Sequence, residues 1–174
     1  MKRRDILKNL ALGSGAILAL PSWANGWSGA NIQTSGLFSD AEISLLSNVV
    51  GTFIPEGKTE PGAVGLEVDK FIDRLIADCY DLNGQIKVKK GLKLLSESAN
   101  RIYKMSFSNC THDQRESLLI GFSEAIDDHK KWFYDTMRRE TIRGYTTSEY
   151  VMVNHYKYEM APGYYNGCVD VSAS

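Results

Sequence analysis

Three histidines (His112, His129 and His155) and three cysteines (Cys79, Cys110 and Cys168) are the side chains of this chain best suited to metal or redox chemistry. Their spacing works against both. No two histidines share a helical turn, and the cysteines lie much too far apart for a zinc or iron–sulfur framework. His155 and Glu159 fit one helix face, but read as a surface pair. The carboxylates of Asp127-Asp128 and of Asp69 and Asp73 read as solvated helix faces. The sequence contains no glycine-rich phosphate cradle, no H-E-x-x-H and no paired haem-attachment cysteines. Tyrosine is the better clue. Tyr150, Tyr156, Tyr158, Tyr164 and Tyr165 crowd into the last 25 residues, and tyrosine joins a large contact area to a polar tip. Such a cluster packs a tail or recognises a protein. The chemistry on offer is binding, with no nucleophile, base and orienter set out together.

A second set of residues carries an address. MKRRDILKNLALGSGAILALPSWA has a basic head, a short apolar middle diluted by glycine, and small residues around Ala24. This is the layout of a secretory signal. The apolar run is far shorter than the ~20 residues of a membrane-spanning helix. Arg3-Arg4, one free position, then Ile6-Leu7 and a lysine resembles the twin-arginine export motif. Cleavage is expected after Ala24, and the destination is periplasmic. That route carries folded cargo, so either this chain holds a cofactor or it travels with a partner that does.

The full chain of 174 residues carries a net charge of −1; residues 1–24 hold four basic side chains and one acidic, so the remainder carries −4. A mildly acidic surface argues against nucleic acid as a partner. One hundred and fifty residues suffice for one domain with a proper core. An odd cysteine count in an oxidising compartment fits one disulfide and one leftover thiol. Three pairings are open. Cys79–Cys168 is the favoured one, because Cys79 falls on the apolar stripe of a helix and Cys168 sits in a terminal tail.

Residues 25–38 read as a flexible leader with Trp27, Leu37 and Phe38 as docking points, and residues 39–174 as the folded domain. Ser39 and Glu42 form a capping box ahead of Ile43, Leu46, Val49, Val50 and Phe53 at helical spacing. PEGKTEPGAVG (55–65) reads as a loop. Val68, Phe71, Ile72, Leu75, Ile76 and Cys79 make a stripe, with Asp69, Lys70, Asp73 and Arg74 outside it. Asn83-Gly84 separates this helix from a third over 85–106, whose buried face is Val88, Leu92, Leu95, Ala99, Ile102 and Met105. Thr111 and Gln114 cap a helix bearing Leu118, Leu119, Phe122 and Ile126. The next carries Trp132, Phe133, Met137 and Thr141 inward and stops at Gly144. Thr147 or Ser148 starts a short last helix. No segment alternates like a strand, so the expectation is an all-α, bundle-like domain of five or six helices with an irregular tail.

Two stretches, FIPEGKTEPGAVGLEVDKFIDRLIADC (53–79) and ETIRGYTTSEYVMVNHYKYEMAPGYYNGC (140–168), resemble the gluconate 2-dehydrogenase subunit 3 family. The resemblance implies a non-catalytic small subunit with no cofactor of its own. A larger subunit of the glucose-methanol-choline type would carry FAD and the active site. The small chain would supply the export signal to the twin-arginine machinery and assist the larger one's maturation. Electrons would pass to a cytochrome subunit or another periplasmic acceptor, and the chain would be membrane-associated through the complex. Trp27, Phe38, Pro61, Tyr145, Tyr156, Tyr164 and Tyr165 are the candidate partner contacts. The chain departs from some members at Tyr156-Lys157-Tyr158-Glu159, which leaves the sugar unspecified. The alternative is an independent periplasmic enzyme or metal-binding protein, which requires histidines and carboxylates to converge in the fold.

Overall fold

The computed structural model describes residues 34–159 and Gly163. Arg3, Arg4, Ile6, Leu7, Ala24, Trp27, Tyr164, Tyr165 and Cys168 lie outside the described residues. The order is α1 (Asp40–Phe53), α2 (Val68–Cys79), α3 (Leu82–Tyr103), a 3₁₀ turn (Phe107–Asn109), α4 (His112–Ser123), α5 (Asp128–Thr146) and α6 (Glu149–Asn154). There is no strand among the described residues. The domain is all-helical and bundle-like, as the periodicity implies.

Helix α5 is the organising element, packing against α1, α2, α3, α4 and α6. Its Phe133 and Met137 are fully buried and meet Leu46, Val49 and Val50 of α1, Ile72 and Ile76 of α2, and Leu92 and Leu95 of α3 in one core. Burying each such side chain stabilises the fold by about 1.5–3 kcal/mol. Close approach depends on glycine at two places. A Cβ on Gly91 of α3 would overlap the Phe133 ring, and one on Gly144 of α5 would lie 2.7 Å from Phe71 and 2.8 Å from Val68. Gly144 therefore does not stop α5, which runs on to Thr146. Its role is to let α2 and α5 touch.

Both expected capping boxes are present, at Ser39/Glu42 and Thr111/Gln114. Other expectations need correction. Asn83-Gly84 does not break the chain; it lies in the first turn of α3, whose N-cap Asp81 accepts from the Gly84 N–H at 2.8 Å. Ile102 and Met105 are exposed, and at this end of α3 it is Tyr103, between them, that turns to the core. Ile126 is fully exposed in the link that follows α4. Cys79 is exposed at the last residue of α2, off the buried stripe. It and the buried Cys110 are not joined to each other.

Asp73 reverses most completely. It is 1% exposed, and its two oxygens accept from the Ser35 backbone N–H and hydroxyl, each at 2.6 Å. Ser35 Oγ in turn accepts from the Leu37 N–H, the chain bends at Gly36 with φ 77°, and Phe38 enters the core under the Lys89 ammonium. The last five residues of the expected leader are thus fastened to the domain.

Candidate functional site

The two stretches that carry the family resemblance, far apart in sequence, meet at one end of the helices. The loop after α1 is built around Glu56. Its carboxylate accepts from the N–H groups of Gly62 (2.7 Å) and Gly65 (3.0 Å), satisfying backbone donors that a loop would otherwise leave to water. Ala63 N–H donates to Ile54 O and Gly57 N–H to Glu60 O, each at 3.0 Å. Gly62 passes so close to the start of the loop that a Cβ there would lie 2.6 Å from Glu56 N and 2.7 Å from Pro55 C. Gly62 in the Pro-Gly-Ala of this loop is therefore a packing requirement.

The end of α5 locks onto it. The Tyr145 hydroxyl donates to Pro61 O at 3.2 Å, and burial, followed by the nearby Glu60 carboxylate, holds that phenol above its usual range. Ser148 Oγ donates to Tyr145 O and accepts from Val151 N–H, turning the chain into α6. His155 Nε2 lies 3.7 Å from Glu60 Oε1, with its ring edge-on to Tyr150. Between loop and helix lies an open cleft of about 430 Å³ lined by Leu66, Ser148, Glu149, Tyr150, Val153 and Asn154. Val153 is 50% exposed and Tyr156 63%, and Val64 of the loop and Tyr158 after the last helix are exposed as well. Exposed apolar and aromatic side chains on a polar, hydrogen-bonded frame have the composition of a protein-docking patch.

A second cluster supports the first from below. Glu140, 3% exposed, accepts from the Tyr80 hydroxyl and Arg139 Nε at 3.0 Å each and from Arg143 Nη1 at 3.4 Å. Arg139 also donates to the Tyr80 oxygen. Burial raises the Tyr80 phenol, against the opposing pull of Arg139. The cluster ties the end of α2 to α5 and so fixes where Tyr145 sits. His129 is a separate case: burial, then Lys90, lowers its affinity for a proton despite Asp127.

Of the expected contacts, the structure joins Pro61 to Tyr145, leaves Tyr156 exposed and places Phe38 in this chain's own core. Sequence reasoning overlooked Glu56 and Glu140 and took Asp73 for a solvated residue. Glu56 had a signal, a carboxylate directly before a Gly- and Pro-rich loop with free N–H groups; the other two sit at ordinary polar helix positions and had none. Among the described residues no three His, Cys, Asp or Glu side chains converge to hold a metal ion.

The described residues thus define an all-helical domain whose braced loop and last helix carry exposed apolar and aromatic side chains. The family model for gluconate 2-dehydrogenase subunit 3 matches residues 40–163, more than two thirds of the chain, and the chain belongs to that family. The family is that of a dehydrogenase subunit. No curated protein matches, and no solved structure does either.

Proposed function

We propose that this chain is the accessory subunit of a periplasmic FAD-dependent sugar or sugar-acid dehydrogenase. Its leader is the twin-arginine address for the pair, and the face formed by the 55–67 loop and α6 docks on the larger, FAD-carrying subunit and assists its maturation. Electrons from that subunit pass to a cytochrome or another acceptor. The observation that carries this reading is the convergence of the two family stretches on one braced face, with Val64, Val153, Tyr156 and Tyr158 left uncovered. Braced backbone under exposed apolar side chains lowers the ordering cost of association. An obligate interface buries more than about 1,600 Å², so the contact would extend beyond these four residues.

The test is co-expression with the large flavoprotein. The native leader should bring both chains to the periplasm, and Arg3→Lys with Arg4→Lys should leave both in the cytoplasm. Export of the flavoprotein unaffected by that change rejects the reading.

A further inference from the structure

The outward face of α3 has a composition that folding does not explain. Residues 82–95 contain four lysines, Lys87, Lys89, Lys90 and Lys93, and no acid, in a chain whose net charge is negative. Helices α1, α2, α4 and α5 each have an acid in the first turn, where the helix dipole favours it; α3 has none. Of these four lysines only Lys93 pairs with a carboxylate among the described residues, Glu97 at 4.0 Å. On the same outward face, one turn apart, stand Leu82, 72% exposed, and Ile86, 55% exposed. Lys90 follows Ile86 by one turn, and Lys93 follows Lys90 by three residues. Lys87 and Lys89 flank this line with their ammoniums 5.4 Å from the Trp132 ring and 5.8 Å from the Phe38 ring. Acids near this face are Asp81, engaged as the N-cap, Glu97, Asp128 beside Lys87 and Trp132, and Asp127, which caps α5 and shares His129 with Lys87 and Lys90.

We propose that this face of α3 lies on an anionic lipid surface, with Leu82 and Ile86 dipping among the headgroups and Lys87, Lys90 and Lys93 meeting their phosphates. Charge complementarity selects an anionic partner, and the residue types select lipid over an acidic protein. Lysine is depleted in protein interfaces, where arginine is preferred. At a bilayer, long lysine stems can lie along apolar surface while the charge reaches the headgroups, and protruding aliphatics enter the interface. No described helix is long and apolar enough to cross a membrane, so the contact is peripheral. It needs no larger subunit, and it lies on a different element from the docking face above.

Co-sedimentation of the full chain with phosphatidylcholine vesicles, with and without phosphatidylglycerol, tests it. An Arg3→Gln, Arg4→Gln background limits the leader's own attraction to anionic lipid. Binding should require phosphatidylglycerol and weaken at least about tenfold in K87E/K90E/K93E. L82S/I86S should weaken it several-fold. Undiminished binding of the charge-reversal variant, or equal binding to neutral vesicles, overturns the proposal. So does an L82S/I86S variant that binds like its parent, since a purely ionic contact points to an acidic macromolecule. All five positions are at the surface, so unchanged thermal unfolding serves as the folding control.

Discussion

Glu56 shows how much a loop can ask of one surface side chain. It is exposed, yet it accepts from two backbone N–H groups that no helix serves. Glu56→Ala should cost about 1–2 kcal/mol in denaturant unfolding, whereas Glu56→Gln, which keeps one acceptor, should cost less. Gly62→Ala should be worse, at about 2 kcal/mol or more, because its Cβ meets backbone that has no room to yield. His129 makes a pH prediction. Its proton affinity is lowered in the folded state by burial and by Lys90 and Lys87, against Asp127. The unfolded chain then takes up the proton first as pH falls below about 6.5. The contribution is complete above that value and is lost as pH falls towards the folded-state pKa. Thermal scans should show the midpoint falling on acidification from pH 7 to 5, and His129→Gln should flatten that part of the curve.

Elements were legible where a local signal and the tertiary fold agree. The capping boxes at Ser39 and Thr111 mark the starts of α1 and α4 because the whole device lies within four residues. The apolar stripe of α2 marks Val68, Ile72 and Ile76 as buried. Periodicity fails where a distant segment returns. Asp73 looks solvated because nothing near it in sequence announces that Ser35 will close over it. Gly144 looks like a helix end because glycine carries that local preference, while its need comes from Phe71 and Val68 of α2 packed against it. The candidate site divides in the same way. Its loop and its tyrosines were visible, and the hydrogen bonds that join them were not. The Ser35–Asp73 clasp yields a prediction for the element it holds. Ser35→Ala removes the hydroxyl donor from a carboxylate sealed from water, and leaving that group short should cost about 1–3 kcal/mol. Limited proteolysis should then cut sooner between residues 34 and 40, while the rest of the domain keeps its protection. An unchanged digestion pattern would mean that Phe38 alone secures the leader.

On the scale of the whole molecule, the two ends of the resemblance and the two exposed faces separate structure from display. Glu140, Tyr145 and Gly144 sit in the same stretch as Tyr156 and Tyr158, yet the first three bind this chain to itself and the last two face outward. Substitutions in the first group should therefore lower stability and complex formation together. Those in the second should act on the complex alone. Val153→Asp with Tyr156→Asp is the discriminating variant. Neither side chain is in the core, so the thermal midpoint should move little. Capture of the large flavoprotein should fall by tenfold or more, since an aromatic anchor in a docking patch contributes about 2 kcal/mol and the new carboxylates must lose their water to remain there. Tyr145→Phe provides the contrast. It removes the bond to Pro61 O, should lower stability by about 1 kcal/mol, and should weaken capture only as far as the loop loses its place. If the double variant captures the flavoprotein as well as the parent, the patch is not the contact, and the partner must reach the domain from another side.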